Sequence, residues 1–243
     1  MKNEAFAARN IAVRLSSCVT AIDPAAKHIV IGGNETLAYD RLLLATGSSP
    51  FVPPIRGLPL DGVFTLRGIG DAERIREWCR GKKHVVISGA GLLGIETANA
   101  LRAQCESVTV IETAPFLLPR QLDSDGAGLL RELLENKGLS FIFDDCIASA
   151  AGKSVLESVT LKSGRTLCAD AVIISAGVRP DVELARKAGL AVERGIVIDR
   201  FMRTSNPDIF AAGDCAEFEE NVCGLWTVAK EQGKIAGANM AGK

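Results

Sequence analysis

The chain has 243 residues, 47% of them hydrophobic, with 28 basic against 29 acidic side chains and a formal net charge of -1. That length holds one large domain or two modest ones with a substantial core, and the balanced charge argues against a nucleic-acid footprint or attraction to an anionic membrane. No apolar run approaches the ~18 residues of a membrane span, and the N-terminal MKNEAFAARNIAVRL is broken by Glu4, Arg9 and Arg14 where a signal peptide needs an apolar stretch, so the expected setting is cytoplasmic.

Residues 28–47 read as a hairpin turning at Gly32-Gly33-Asn34, followed by a buried strand through Leu42-Leu43-Leu44. Four prolines mark Ser48 to Val63 as a loop or linker. Residues 70–80 form an amphipathic pattern with Ile75 and Trp78 on one face and Asp71 as the expected N-cap. From His84 the pattern is strand (HVVIS), glycine turn, helix to about Ala103, then strand (SVTVIE). A second helix is expected from Asp125 to a stop at Gly138, then a hairpin turning at Ser163-Gly164 and a buried strand (AVIIS). The tail reads as one more strand pair, GIVIDR with DIFAAG, and a closing helix from about Leu225. Cys18, Cys79, Cys105, Cys146, Cys168, Cys215 and Cys223 are odd in number and never spaced C-x-x-C, which argues against a disulfide framework, a zinc site or an iron–sulfur cluster. No metal site is expected.

Gly89-Ala90-Gly91-Leu92-Leu93-Gly94 fits G-x-G-x-x-G between a strand and a helix. The first glycine permits the tight turn, the second lets the backbone approach a pyrophosphate, and the third packs helix on strand. The helix N-terminus adds free N–H groups and the positive dipole end. Glu112 closes the next strand 23 residues after Gly89, where a carboxylate accepts hydrogen bonds from a ribose diol and repels a 2′-phosphate. NAD is therefore expected over NADP; the plainer alternative is a tight turn with a surface glutamate.

YDRLLLATGSSP, VIISAGVRPDVELARKAGL and RTSNPDIFAAGDCAE resemble motifs of the pyridine nucleotide–disulfide oxidoreductase superfamily of flavoproteins, which also includes rubredoxin and ferredoxin reductases and NADH oxidases. Within it, LLPRQLD (Leu117 to Asp123) and LWTVAKEQGKIAGANMAG resemble the reductase part of nitrite reductase large subunits and rubredoxin reductases. The likeness runs from about Asn10 to the C-terminus. It implies an α/β fold in which a Rossmann-like NAD-binding domain, a parallel sheet with helices at residues 77–192, is inserted into a β/β/α FAD-binding domain at 1–76 and 193–243. The implied cofactors are FAD and NAD(H). The implied activity passes hydride from NADH to flavin and electrons on to an acceptor protein or fused redox domain.

Carried onto this sequence, Ala45-Thr46-Gly47 and Gly213-Asp214 border the flavin, with Asp214 on its ribityl chain; Asp214 as a mere helix cap stays open. Glu96 resembles a residue that contacts the nicotinamide carboxamide, or is an ordinary helix-surface glutamate. Ala176-Gly177 would leave room for bound NAD. Trp226 resembles an aromatic residue near the flavin, or packs as any amphipathic-helix Trp does, and Cys215 reads best as a small apolar residue. No nucleophile or base is implied, and His84 reads as structural. The sequence departs from the superfamily in one respect: no G-x-G-x-x-G precedes Gly89, and the residues before His28 carry no βαβ pattern. The expected reading is thus an N-terminally truncated, incomplete FAD domain with exposed sheet edges, its redox-active cysteine, if any, in the missing part, and the C-terminus short of a further domain. A partner chain could complete it; alternatively the chain is an NAD-binding module, from about Lys82 to Val192, without flavin chemistry of its own.

Overall fold

The computed structural model describes residues 4–242; Met1–Asn3 and Lys243, at the ends of the first and last expected segments, lie outside the described residues. The chain divides into two units, one built from residues up to 48 and from 180 onward, the other inserted between them at residues 49–179.

After a one-turn helix α1 (Glu4–Ala7), the first unit begins with β1 (Val19–Asp23), β2 (His28–Ile31) and β3 (Glu35–Ala38), an antiparallel sheet in that order. Gly32 and Gly33 turn the chain between β2 and β3 at φ 59° and 85°, a left-handed conformation that costs glycine little because it lacks a Cβ. The short strands β4 (Leu42–Leu44) and β5 (Ser48–Pro50) follow.

The inserted unit holds β6 (Val63–Thr65), α2 (Ile69–Cys79), β7 (His84–Ser88), α3 (Leu92–Leu101), β8 (Ser107–Ile111), α4 (Ser124–Glu135), β9 (Leu139–Ile142), the strands β10 (Ile147–Ala151), β11 (Ser158–Leu161) and β12 (Thr166–Cys168), then β13 (Ala171–Ile174) and β14 (Val178–Pro180). Its centre is a five-stranded parallel sheet in the order β6-β13-β7-β8-β9. The near-continuous apolar runs VVI and AVII suit a sheet covered on both faces. Strand alternation sorts them: Val85, Ile87, Val108, Val110 and Ile173 pack with α2, α3 and α4, while Val86, Ile111, Val172 and Ile174 pack with the β10–β12 sheet.

In the returning segment come α5 (Glu183–Lys187), β15 (Ile196–Val197), β16 (Ile209–Ala211), β17 (Ala216–Phe218), β18 (Asn221–Val222) and α6 (Trp226–Met240). β15-β17-β18 form one sheet, and β16 pairs in parallel with β4 as a two-stranded sheet. Ile209, Phe210 and Ala211 are essentially inaccessible and centre a core shared with Leu44, Val182, Ile196 and Ala236. Among the described residues no helix is long and apolar enough to cross a membrane.

The compact units meet at 48/49 and 179/180, whereas the sequence places the domain boundaries at 76/77 and 192/193. Two expectations need correction, the pairing of the tail strands and the cap of α2. The proline-rich stretch leads into β6, which joins the central sheet beside β13, and α5 packs against β1. GIVIDR and DIFAAG do not pair with each other; their strands β15 and β16 take long-range partners, β17 and β4. Asp71 is not the N-cap of α2, which is Gly68; from the first turn its carboxylate accepts the N–H groups of Arg67 (3.0 Å) and Gly68 (2.9 Å). The loose ends are satisfied by an acid inside the helix instead of ahead of it.

Candidate dinucleotide and flavin sites

In the inserted unit, β7 runs into Gly89, whose φ of 115° and crowded setting admit no side chain: an added Cβ would stand 2.3 Å from the Ser175 carbonyl oxygen. Gly94, one turn into α3, is as tight, since a Cβ there would lie 2.0 Å from the Gly89 oxygen. Gly91 differs. It caps α3 with extended backbone (φ -74°, ψ 178°), lacks a side-chain hydrogen bond, and faces open space where a Cβ would project. Two glycines therefore shape the turn and the third leaves room above it, beside the first N–H groups of a helix.

Three of the sequence-predicted elements meet here. Gly89–Gly94 follows β7, Glu112 follows β8, and Ala176-Gly177 follows β13, all at the carboxyl edge of one parallel sheet. The connection from β7 goes to β8 on one side while β13 flanks it on the other, so the turn lies at the switch point where open α/β sheets bind ligands. Glu112 is tied into the turn: one carboxylate oxygen accepts the Ala90 N–H at 2.7 Å, the other the Ala114 N–H at 3.0 Å and the Thr113 hydroxyl at 2.9 Å. A carboxylate has about four acceptor positions, so capacity remains for a ribose. Gly177 (φ 93°) accepts the Phe51 N–H at 2.9 Å. Glu96 is exposed on α3, and Leu92 and Leu93 are exposed beside it.

The sequence reading missed how the Leu117–Asp123 stretch bears on this turn. Leu118 N–H donates to the Ala90 carbonyl at 3.0 Å, with Leu118 at φ 51° and Leu117 fully buried. The loop thus pins the second residue of the glycine turn from outside. A non-glycine residue in the left-handed region carries no local sequence signal.

In the other unit, the register Ile209↔Leu42, Phe210↔Leu43, Ala211↔Leu44 makes β4 and β16 end together, so Ala45-Thr46-Gly47 and Gly213-Asp214 emerge side by side. The Asp214 carboxylate accepts the hydroxyl of the buried Ser48 at 2.8 Å. Gly213, at φ 83°, donates its N–H to the Gln232 side chain of α6 at 2.8 Å. Thr46 donates its hydroxyl to the Asp181 carbonyl at 2.6 Å, and Gly47 accepts the Asp181 N–H at 2.9 Å. Ser48, Gln232 and Asp181 were not among the predicted residues, because only the folded register brings them to the two motifs. Two cavities of about 240 and 430 Å³ open beside Thr46, lined on one side by Val19, Ile22 and Leu42 and on the other by Cys18, Thr20 and Lys187. Cys215 is buried, its thiol within 3.4–3.5 Å of the Ala212 and Leu44 carbonyls. Trp226 opens α6 with 74% of its surface exposed and the Lys230 ammonium 5.2 Å from its ring centre. The packing alternative for it is not met.

A glycine turn at a sheet switch point, with an acidic residue closing the adjacent strand, is the arrangement that α/β dinucleotide-binding folds use. The chain belongs to the pyridine nucleotide-disulphide oxidoreductase family, which matches residues 3–233. It is 38% identical to the assimilatory nitrate reductase electron transfer subunit of Bacillus subtilis, over 92% of this chain and 29% of that protein. It is 36% identical to a rubredoxin-NAD(+) reductase of Pseudomonas putida, over 89% of this chain and 57% of that one. A ferredoxin reductase from Rhodopseudomonas palustris superimposes with a TM-score of 0.95 at 29% identity, covering all of this chain and 62% of that one. The chain spans between about a quarter and three fifths of the curated relatives it matches. These relatives are NAD(P)H-dependent oxidoreductases of electron-transfer systems, and the family implies a pyridine nucleotide and FAD.

Proposed function

We propose that this chain is the cofactor-binding part of an NADH-dependent flavoprotein reductase that hands electrons to an acceptor protein or a fused redox domain. The observation that carries the reading is the 2.7 Å hydrogen bond from the Ala90 N–H of the glycine turn to Glu112, since it fixes a carboxylate beside that turn. In this reading Gly89–Gly94 and the α3 N-terminus hold the pyrophosphate, and Glu112 takes the ribose and disfavours a 2′-phosphate. Glu96 and Ala176-Gly177 accommodate the nicotinamide, while Thr46, Gly47 and Asp214 hold the flavin, with Trp226 at its border. Bound NADH and FAD supply hydride and electron-transfer chemistry; the chain's residues bind and orient. Acceptors of the kind named for relatives, putidaredoxin and rubredoxin, are the expected class of partner.

A second reading is favoured by a specific contrast. The dinucleotide turn sits on a five-stranded sheet, whereas the flavin motifs sit on the two-stranded β4–β16 sheet. In that reading the inserted unit binds NAD, and flavin chemistry requires a further polypeptide that completes the other unit. Visible absorption of the purified chain, before and after anaerobic NADH, separates the two. A flavin band bleached by NADH supports the reductase; a chain that stays colourless after incubation with FAD yet binds NADH supports the module.

A further inference from the structure

At the amino edge of the central sheet, opposite the glycine turn, two cysteines from separate elements meet. Cys79 is the last residue of α2 and fully buried; Cys105, half-buried, lies in the turn between α3 and β8. The Cys105 thiol donates to the Cys79 carbonyl at 3.5 Å, which brings the side chain of one cysteine against the backbone of the other. The surrounding edge is already knitted: Ser107 N–H donates to the Lys83 carbonyl at 2.7 Å, the His84 ring meets the Ser107 hydroxyl at 2.9 Å, and Asp170 accepts the N–H groups of Lys83 and His84. The segments that follow the two cysteines are therefore tied to one another by hydrogen bonds.

We propose that Cys79 and Cys105 are a redox-convertible pair, which a low-molecular-weight disulfide such as oxidised glutathione converts into an internal disulfide that staples the end of α2 to the turn before β8. The more accessible Cys105 thiolate attacks the small disulfide, forming a mixed disulfide and releasing one small thiol. Cys79, deprotonated in turn, then attacks the Cys105 sulfur, forms the internal S–S bond and releases the second small thiol. Two protein thiols are oxidised and one small disulfide is reduced to two thiols, so atoms and electrons balance. The closed loop joins residues 26 positions apart and encloses β7, the glycine turn and α3.

The groups facing the pair set its pace. Burial pushes the Cys79 thiol up to about 12, with the neighbouring Cys105 adding to the rise and Lys82 opposing it. Burial also raises Cys105, with Asp170 adding to the rise and its hydrogen bond with Cys79 opposing it. Thiolates are the attacking species, so the pair stays reduced near neutrality on short times and converts faster as pH rises. This inference does not depend on what the glycine turn binds.

The test uses the whole chain with oxidised glutathione at pH 7 and pH 9, followed by alkylation of remaining thiols, peptide mapping and thermal unfolding. The expected product is a Cys79–Cys105 linked peptide, two hydrogens lighter, formed at least about tenfold faster at pH 9, because the attacking thiolate population climbs steeply with pH below a raised pKa. It brings a rise in Tm of roughly 5–10 °C, as the loop length suggests, which dithiothreitol reverses. The rise is absent in C105S and in C79A. Cys105 carrying glutathione without the internal link would overturn the proposal. So would a link to any other cysteine, or a linked chain whose Tm does not move.

Discussion

Replacing Glu112 by glutamine keeps size and shape but removes charge, and its consequences follow from the three hydrogen bonds around the carboxylate. Ala90 N–H reaches one oxygen at 2.7 Å, while Ala114 N–H and the Thr113 hydroxyl reach the other at 3.0 and 2.9 Å. An amide offers one acceptor oxygen and one NH2, so the NH2 faces either the Ala90 N–H of the turn or the Ala114 N–H beyond β8, donor against donor. Losing one charge-assisted bond at a partly buried site costs about 1.5–3 kcal/mol. Water can reach part of this site, which favours the low end, and the turn also loses an anchor where the pyrophosphate binds. E112Q should therefore raise the Kd for NADH about tenfold, equivalent to ~1.4 kcal/mol. NADPH should respond oppositely in relative terms. A carboxylate 4 Å from one phosphate charge is repelled by ~1 kcal/mol in water and ~4 kcal/mol at an effective dielectric constant of 20, so the preference for NADH over NADPH should fall at least about fivefold. Titrating both nucleotides by fluorescence, on wild type and E112Q, measures both shifts. An E112Q chain that binds NADH as tightly as wild type and still rejects NADPH would refute the assigned role of Glu112.

Three further outcomes are expected. G94A drives a Cβ to within 2.0 Å of the Gly89 carbonyl oxygen, and the displacement of α3 from β7 should cost about 2–4 kcal/mol and lower Tm by roughly 5–10 °C in a thermal melt. S48A removes the 2.8 Å bond to Asp214, and FAD titration followed by visible absorbance should show several-fold weaker retention with little change in NADH binding. Asp170 is held below the ordinary carboxylate range, first by the His84 N–H and then by the Lys83 N–H, against the opposing effect of burial. Because its folded value is depressed, its contribution is present above the unfolded carboxylate range and fades as pH falls through the folded value. D170A should therefore destabilise by about 1–2 kcal/mol at pH 7, and urea titrations should show that gap narrowing toward pH 3; a gap constant with pH would refute it.

What could be read in the sequence was local. The Gly89–Gly94 turn, the β2–β3 hairpin and the stop at Gly138 are set by a few neighbouring residues and positive φ values, so their patterns survive without context. Pairing was not local. β15 and β16 are separated by a short irregular stretch yet hydrogen-bond to β17 and β4, because burying Ile196 and Phe210 in one core outweighs sequence proximity. β1 escaped notice because VTAID carries a bulge and buries only Ile22. A proline-rich stretch looks like a linker wherever it lies, and nothing in it announces that Val63, Phe64 and Thr65 beyond it join the central sheet beside β13. The candidate residues at the strand ends lie together within each unit. Ser48, Gln232 and Leu118, which hold them in position, are distant in sequence, and no spacing rule points to them.

The chain leaves its first unit at β5 and comes back at β14, and these two strands pair as neighbours. Paired strands run only about 5 Å apart, so the inserted stretch begins and ends at almost one point. A segment anchored in this way is interchangeable: another domain with adjacent ends could stand in its place at little cost in loop closure. Equally, the stretch could be cut out and its ends joined by a few residues to give a free-standing unit. Fusion, exchange and duplication of such a segment leave the surrounding hydrogen-bond ladder intact, which makes the crossing point the natural seam for recombining this protein.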